Sequence, residues 1–271
     1  MGFSTWQNKV CVVTGGSAGL GLAVARALAA RQAKVVLVGR REEPLQQAAA
    51  GLTATAADVL IEVADVTCQE DVDRLQQTVI ERFGGADLLC NCAGRSARQS
   101  VLDTPIEEFQ QLLDVNFLAA VRTTQAFAPA LIQNRGHVVN IGSLASKVAP
   151  RYLAGYPASK FALAAFSQQL RLELGPQGLH VLLVCPGPIH RDETAIRYEA
   201  DARLPASAQQ PGAGANIGGI DSDWLAEKIL HACERRRLEL IVPWKVRVLL
   251  TLSQLSPRLG DWLLLRATSG K

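Results

Sequence analysis

The chain has 271 residues, 48% of them hydrophobic, and a net charge of +3, which is enough apolar sequence for one large α/β core. Its Lys and Arg residues are scattered and form no basic stripe with interleaved aromatic residues, which argues against a nucleic-acid-binding protein. The six cysteines and four histidines show no CxxC pair and no metal-ligand spacing, so we predict no metal site and reduced cysteines. Residues 1–9 contain no apolar segment typical of a signal peptide.

The first predicted elements are a strand, a glycine-rich turn and a helix. Residues 9–14 are apolar and mostly β-branched, which is typical of a buried parallel strand, and an Ala- and Leu-rich helix is predicted over about 20–30. Between them lies a turn with GxxxGxG spacing, which allows close approach of the backbone to phosphate, while the helix N-terminus presents free N–H groups. The turn therefore predicts a dinucleotide site, with the binding residues Gly15, Ser17, Gly19, Leu20 and Gly21.

The end of the second predicted strand, 34–39, indicates which dinucleotide is bound. An NAD-preferring enzyme places an acidic residue there for the ribose hydroxyls, but this chain has Gly39 followed by Arg40 and Arg41. Without a carboxylate nothing repels a 2′-phosphate, and a guanidinium can clamp it with charge-assisted hydrogen bonds, to which Ser17 can add another. We therefore predict NADP(H), with Arg40 as a binding residue. The alternative is that both arginines only begin a solvent-exposed helix.

Further candidate strands alternate with helical stretches along the chain. This alternation predicts an α/β domain with a parallel sheet, right-handed crossovers and helices on both faces. After the first two, the candidate strands are 59–64, 86–91, 136–142, 180–185 and 238–242.

Three residues in the second half of the chain predict a reaction as well as a fold. Tyr156 and Lys160 are four apart, so on a helix they lie on one face, one turn from each other. A phenol with a pKa near ~10 transfers protons poorly at neutral pH, but a neighbouring ammonium group favours the phenolate and lowers that pKa. Ser143 can orient a substrate oxygen while Tyr156 moves the proton. This set is suited to interconverting an alcohol and a carbonyl group.

With these motifs in this order, the chain resembles the short-chain dehydrogenase/reductase family from about residue 9 to residue 243. The resemblance implies one Rossmann-like, doubly wound domain with seven parallel strands in the order 3-2-1-4-5-6-7. The implied catalytic residues are Ser143, Tyr156, Lys160 and Asn116, the last of which helps to hold a water in a proton relay. Besides the glycine turn and Arg40, the implied cofactor-binding residues are Asp65, Val66, Asn91, Ala93, Gly94, Tyr156, Lys160, Pro186, Gly187 and Ile189.

Three positions depart from the family's pattern. Cys92 replaces an Asn in a motif whose backbone makes the contacts, so we expect little effect. Pro157 follows the catalytic Tyr and lacks an N–H, so it has to fall in or near the first turn of a helix. Thr194 is the candidate for the Thr that the family has soon after its Pro-Gly turn, but a longer stretch precedes it, which leaves the nicotinamide-amide contact open.

The predicted reaction is hydride transfer between NADP(H) and a carbonyl compound or secondary alcohol. In the family, the pro-S hydride passes to the carbonyl carbon, Tyr156 donates the proton, Ser143 donates a second hydrogen bond, and Lys160 holds the nicotinamide ribose. One alternative is a lipid ketone reductase at a membrane surface, similar to ketosphinganine reductases. A second alternative is a cofactor-binding sensor or scaffold that catalyses no reaction. The presence of all four catalytic residues argues against it, because such a protein does not need them.

Two segments bear on the substrate of the predicted catalytic domain, 1–243. A lid is predicted over about 188–220; its Gly- and Ala-rich second half has no charged cluster, which favours an uncharged or lipophilic substrate. The extension 244–271 is apolar with interspersed Lys and Arg, and it is interrupted by Pro257, which excludes a transmembrane helix. It packs over the cleft or a neighbouring subunit, lies on a membrane surface, or is disordered.

The resemblance also implies assembly. Family members commonly pair the helices that correspond to 116–128 and 157–174 between subunits, so we expect a homodimer or a homotetramer. The expected location is the cytoplasm, with peripheral membrane contact through 244–271 as the alternative. The expected partner is a small-molecule carbonyl or alcohol substrate.

Overall fold

The computed structural model describes residues 5–190, 204–205, 208, 218–253 and 255–268. The strands in this part of the chain are β1 Val10–Thr14, β2 Lys34–Gly39, β3 Asp58–Val63, β4 Leu88–Asn91, β5 His137–Ile141, β6 His180–Pro186 and β7 Glu239–Val242. The α-helices are α1 Gly19–Ala29, α2 Glu42–Ala50, α3 Gln69–Phe83, α4 Ile106–Leu113, α5 Ala119–Gln133, α6 Tyr156–Leu174, α7 Ser222–Glu234, α8 Val246–Ser253 and α9 Pro257–Thr268. A π-helical turn, Asp114–Leu118, joins α4 to α5.

The seven strands form one parallel sheet in the order β3-β2-β1-β4-β5-β6-β7. This confirms the predicted Rossmann-like fold, and each predicted strand agrees with an observed one to within two residues at either end. All strands are parallel, but the chain builds the sheet outward from β1 toward β3 on one side and from β4 toward β7 on the other, so the strand order switches between β1 and β4. In sheets of this kind, ligands bind in the crevice at the carboxyl ends of the strands next to such a reversal.

Two apolar layers cover the sheet, because its strands are Val- and Leu-rich on both faces. Helices α1, α2 and α7 pack on one face, and helices α3, α5 and α6 pack on the other. Fully burying one Leu or Val side chain contributes about 1.5–3 kcal/mol, so these layers supply the main stabilisation of the domain. The fully buried helix residues include Val24, Leu28, Leu45, Leu225 and Ile229 in the first layer and Val72, Leu75, Phe127 and Leu131 in the second.

Local sequence signals explain where several helices begin and end. Pro157 occupies the second position of α6, where its missing N–H has no intrahelical partner to lose, as predicted. Asp221 caps α7, since its carboxylate accepts a hydrogen bond from the backbone N–H of Trp224 at 2.7 Å. Helix α3 is followed by Gly84 with a φ of 76°, a left-handed conformation that favours glycine.

Helices α8 and α9 follow β7 and pack against each other. Each is short, and among the described helices none is both long and apolar enough to cross a membrane.

Candidate active site and dinucleotide cleft

A continuous cleft of about 1590 Å³ opens at the carboxyl edge of the sheet. It is bordered by residues from the ends of β1, β2, β4, β5 and β6. Such an edge collects residues that are distant in sequence, since parallel strands all end on the same side. The volume exceeds the range of about 300–1,000 Å³ typical of drug-sized ligands, which suits a dinucleotide together with a substrate.

The glycine turn forms the phosphate end of this cleft. Gly15 and Gly19 have positive φ angles of 65° and 53°, which L side chains rarely adopt. A Cβ atom on Gly21 would collide with the carbonyl of Gly15, so this glycine is required for the packing of the turn. Ala18 is the N-cap of α1 and has no side-chain acceptor, which leaves the first N–H groups of the helix available for an anion.

Arg40 and Arg41 lie at the end of β2, where the nature of the dinucleotide is decided. Both are exposed and border the cleft, and within the described ranges neither forms an ion pair or a side-chain hydrogen bond. Ser17 lies close by, because a Cβ atom added at Gly39 would be 3.7 Å from its Oγ. Two cations without an ion-pair partner among the described residues therefore lie near a hydroxyl, at the place where an NAD-preferring enzyme has its carboxylate.

Asp65 and Val66, which follow β3, border the same cleft. One carboxylate oxygen of Asp65 accepts hydrogen bonds from the backbone N–H of Thr67 at 3.0 Å and from its hydroxyl at 2.7 Å. The backbone N–H of Asp65 donates to Asp71 at 2.8 Å. These bonds fix the turn that we predicted to hold the adenine ring.

The motif after β4 is held by its backbone. The hydroxyl of Thr14 accepts hydrogen bonds from the N–H groups of Cys92 and Ala93, each at 3.1 Å. Ala93 packs closely on the glycine turn, since a Cβ atom on Gly15 would be 3.1 Å from the nitrogen of Ala93. Cys92, Ala93 and Gly94 all border the cleft.

Asn91 differs from the other predicted cofactor residues, because its side chain is buried outside this cleft. Its amide donates to Asn140 of β5 at 2.9 Å and accepts from Thr123 of α5 at 2.8 Å. This network ties the end of β4 to the neighbouring strand and helix. The side chain of Asn91 thus fixes the position of the motif and does not itself border the cleft.

Ser143, Tyr156 and Lys160 converge at the centre of the cleft. The Lys160 ammonium lies 5.8 Å from the centroid of the Tyr156 ring, one helical turn away, and donates a hydrogen bond to the carbonyl of Ile141 at 2.8 Å. The hydroxyl of Ser143 accepts a hydrogen bond from the N–H of Ala145 at 3.1 Å, so its own proton is available for a ligand. The three side chains thus border one cleft, and their catalytic roles stay a prediction.

Lys160 is almost completely buried, with 5% of its surface exposed. Burial lowers its pKa to about 8, and the thiols of Cys92 and Cys185 oppose that shift. At pH 7 the ammonium form still predominates. The site therefore keeps a positive charge beside the Tyr156 ring.

Asn116 lies in the π-helical turn, a local distortion that is frequent at functional sites. Its amide oxygen accepts from the N–H of Arg95 at 2.9 Å, and its nitrogen donates to the carbonyl of Arg95 at 2.9 Å and to Ser159 at 3.1 Å. A Cβ atom on Gly94 would be 2.7 Å from this oxygen. Asn116 thus fixes the loop beside the catalytic lysine, and its contact with a relay water stays a prediction.

The loop after β6 closes the far side of the cleft. Gly187 donates its backbone N–H to the carbonyl of Val242 at 2.8 Å, and Ile189 forms an isolated bridge with Ile220. Pro186, Gly187 and Ile189 border the cleft as predicted. Thr194 and most of the predicted lid lie outside the described residues.

The two C-terminal helices also border the cleft, through Val246 and Leu250 of α8 and Leu263 and Leu264 of α9. Packing over the cleft was one of three interpretations of this segment, and the described part of the helices agrees with it. The sequence could not identify these four residues, because an apolar stripe by itself does not say what it packs against.

A second cluster of polar side chains lies at the opposite edge of the sheet. The Nδ1 atoms of His137 and His180 are 2.8 Å apart, and the thiol of Cys233 is within 4.8 Å of both rings. Burial, with the neighbouring charges, lowers the pKa of His137 to about 2 and that of His180 to about 4, so both are neutral at pH 7. Histidine nitrogens and a cysteine sulfur are the donor atoms that bind zinc. The positive charges of Lys9 and Arg236, however, lie close enough to repel a cation at this position. Sequence spacing missed the cluster because its members lie on three separate elements.

Comparisons with known proteins agree with this geometry. The family model of the short chain dehydrogenases matches residues 9–202. An uncharacterized oxidoreductase of Staphylococcus aureus is 34% identical over 226 residues, which cover 83% of this chain and 90% of the relative. A short chain dehydrogenase/reductase from Burkholderia phymatum, solved in complex with NAD, is 25% identical with a TM-score of 0.83, covering 95% of this chain and 97% of that one.

A second solved structure is an alcohol dehydrogenase from the archaeon Thermococcus sibiricus, complexed with 5-hydroxy-NADP. It is 26% identical with a TM-score of 0.74, and the match covers 86% of this chain and 95% of that one. The fold, the cleft and these matches lead to one conclusion: the chain belongs to the short chain dehydrogenase family and is an NAD(P)-dependent oxidoreductase.

Proposed function

We propose that the protein uses NADP(H) to interconvert a carbonyl group and a secondary alcohol in an uncharged or lipophilic compound, with reduction as the favoured direction. The observation that carries this proposal is the presence of Ser143, Tyr156 and Lys160 in the same cleft as the glycine turn. A protein that only bound a nucleotide would have no need of a proton donor, a hydrogen-bonding hydroxyl and a buried cation together. A sensor or scaffold without chemistry is therefore disfavoured.

The residues of the cleft fit a nicotinamide dinucleotide. Positive φ angles at Gly15 and Gly19 and the open N-terminus of α1 suit a pyrophosphate. When bound, the reduced nicotinamide supplies the hydride. Asp65 and Val66 would hold the adenine, and Pro186 would lie on the nicotinamide side of the cleft.

The protein's own side chains would handle the proton. Tyr156 donates its phenolic proton to the substrate oxygen as negative charge develops there, and Ser143 donates a second hydrogen bond to the same oxygen. The Lys160 ammonium stabilises the phenolate that remains. Asn116 keeps the loop beside Lys160 in place through its two bonds to Arg95.

Similar structures hold either NAD or 5-hydroxy-NADP, so they leave the choice of cofactor open. The position of Arg40 supports NADP(H). Its guanidinium has no carboxylate partner within the described part of the chain and faces no acid at the end of β2. We expect Arg40→Ala to weaken NADPH binding by about 10- to 100-fold, as for the loss of a charge-assisted hydrogen bond worth ~1.5–3 kcal/mol. NADH binding by the same variant is the matched control, and fluorescence titration measures both.

Gly39→Asp tests the same assignment from the opposite direction. A Cβ atom at Gly39 would make only ordinary contacts, 3.4 Å from Leu45 and 3.7 Å from Ser17, so the fold can accept the new side chain. The carboxylate should repel a 2′-phosphate and favour the ribose hydroxyls of NADH. Wild-type protein that binds NADH as tightly as NADPH, or an Arg40→Ala variant that weakens both equally, would contradict the NADP(H) assignment.

The apolar lining of the cleft supports an uncharged or lipophilic substrate. Leu144, Val148 and Leu153 lie near Ser143 in sequence and border the cleft together with the inner faces of α8 and α9. We accordingly propose that 244–271 extends the catalytic domain, 1–243, as part of its substrate wall.

A lipid ketone reductase acting at a membrane surface is the second candidate, and exposed apolar side chains in and beside α8 and α9 favour it. Trp244 just before α8 is 70% exposed, Leu255 between the two helices is 73% exposed, and Trp262 of α9 is 53% exposed. Lys and Arg residues are interspersed among these apolar side chains, as in helices that lie on anionic membranes. Trp residues are also typical of the membrane–water interface.

Flotation with anionic liposomes tests this second candidate. If it is correct, the wild-type protein floats with the liposomes, and replacing Trp244, Leu255 and Trp262 with Ser abolishes flotation without changing turnover of a water-soluble substrate. A chain ending at Pro243 provides the comparison without the extension. Wild-type protein that stays in the dense fraction at low salt would exclude a membrane-surface enzyme.

We also propose a homodimer or homotetramer in the cytoplasm. Exposed apolar side chains on α6, Phe161 and Leu172, support pairing through that helix. The location is supported by the six cysteines, all of which are free thiols.

A further inference from the structure

Two cysteines at the end of β4 are in contact with each other, and one of them, Cys92, borders the cleft. Cys90 lies in β4 and Cys92 follows its end, and their sulfur atoms are 3.4 Å apart. Residues two apart on an extended strand are separated by about 6.6 Å, too far for such a contact. Here the N–H of Cys92 donates to the carbonyl of Cys90 at 3.1 Å, and this tight turn at Asn91 brings the two side chains together.

The two thiols have different surroundings. Cys90 is completely buried, and its hydrogen bond to Cys92 together with burial raises its pKa well above the usual value. Cys92 is only partly buried and borders the cleft. It also lies near the Lys160 ammonium. Cys92 is thus accessible from the cleft, while the buried sulfur of Cys90 is in contact with it.

We propose that Cys90 and Cys92 form a peroxide-sensitive dithiol that closes to a disulfide beside the cofactor cleft. The Cys92 thiolate attacks a hydroperoxide, its S–O bond forms as the O–O bond breaks, and the alcohol or water leaves with one proton. The Cys90 thiol then attacks the sulfenic acid on Cys92, the S–S bond forms, and water leaves with the second oxygen. Two thiols are oxidised while one hydroperoxide is reduced.

The disulfide should disturb dinucleotide binding. Closing the sulfur separation from 3.4 Å to about 2.05 Å is expected to shift the turn at Asn91, because this turn joins the two cysteines. Ala93 is next in the chain, shares the Thr14 hydroxyl with Cys92 and packs on Gly15. We expect NADPH to bind about tenfold more weakly to the oxidised protein and, when already bound, to shield Cys92. This consequence rests on the proposed cofactor site, whereas the oxidation itself does not.

Mass spectrometry of the peroxide-treated, folded protein tests the proposal. Hydrogen peroxide should remove two hydrogens from the peptide that holds Cys90 and Cys92, and dithiothreitol should restore the original mass. In Cys90→Ala no disulfide can form between these positions, so dimedone should label a sulfenic acid on Cys92. In Cys92→Ala the buried Cys90 should stay unlabelled.

Matched controls use the other cysteines. Cys185→Ala removes a buried thiol whose pKa burial raises to about 12, and Cys68→Ala removes a partly exposed thiol bonded to Glu70; both variants should still form the disulfide. A peptide map of wild-type protein in which Cys90 and Cys92 stay reduced while Cys68 is oxidised would overturn the proposal. This readout needs no variant and therefore does not depend on how a variant folds.

Shielding by cofactor separates the dithiol from the proposed function. If saturating NADPH slows oxidation of Cys92, the placement of this thiol beside the cofactor is supported. If NADPH binds but oxidation continues at the same rate, that placement is wrong. If NADPH does not bind but the disulfide still forms, the NADP(H) assignment is wrong, while the proposal of a peroxide-sensitive dithiol is supported.

Discussion

Replacing Tyr156 with Phe is expected to lower kcat by about 10²- to 10⁴-fold, the usual contribution of a positioned proton donor. The phenylalanine ring keeps the size and packing of the original side chain at the start of α6, below the Lys160 ammonium. Only the hydroxyl is lost, so no proton is delivered to the developing alkoxide. The measurement is NADPH oxidation under saturating conditions with a carbonyl compound that the wild-type protein reduces.

Cofactor binding is the control for this variant. NADPH affinity, measured by fluorescence, should remain close to that of the wild type, because the glycine turn and Arg40 are unchanged. Ser143→Ala should lower kcat less, since Tyr156 still supplies the proton. A Tyr156→Phe variant with full activity would rule out the proposed proton transfer, whereas loss of NADPH binding would indicate a structural defect.

Lowering the pH from 7 to 5 is expected to reduce the free energy of unfolding by about 3–4 kcal/mol through His137 and His180 together. Burial lowers the pKa of these histidines in the folded protein to about 2 and about 4. In the unfolded chain both have a pKa near ~6.5, so the unfolded chain takes up protons that the folded one cannot. Stability is therefore lost as the pH falls through about 6.5, and the loss continues toward about 4 for His180 and toward about 2 for His137.

Urea unfolding at the two pH values measures this loss, and variants separate it from the titration of carboxylates. His180→Asn should remove about half of the histidine contribution. His231→Gln is the matched control, because it removes a histidine from the exposed side of α7 and leaves the buried pair in place. The same pH dependence in wild type and in His180→Asn would show that this histidine is not held neutral by the fold.

Contiguous sequence motifs predicted the fold, and they also supplied the candidate site residues that border the cleft. Each strand is a short apolar run, and the glycine turn follows its strand directly, so local sequence determines their geometry. The spacing of Tyr156 and Lys160 follows from helix periodicity. These features needed no knowledge of long-range packing.

Features that depend on tertiary packing were not predictable in the same way. Asn91 stays a predicted cofactor-binding residue, but the sequence did not indicate that its side chain is buried against Asn140 and Thr123, two residues from other elements. The pairing of His137 with His180 arises because β5 and β6 begin side by side in the sheet. Neither arrangement has a signature in the local sequence.

Cys92 is a further example. In the sequence it is a replacement within a backbone-driven motif, for which we expected little effect. The structure brings its sulfur within 3.4 Å of that of Cys90, because a tight turn replaces extended strand at this position. A backbone hydrogen bond between residues two apart is not visible in residue types alone.

The most direct test of the central claim is to mix the protein with NADPH and a panel of uncharged ketones and aldehydes and to follow NADPH absorbance. We predict that the wild-type protein oxidises NADPH with at least one member of the panel, faster than NADH, and that Tyr156→Phe does not. If NADPH binds but no carbonyl compound oxidises it, or if both proteins oxidise it at the same rate, the proposed reaction and its proton donor are wrong.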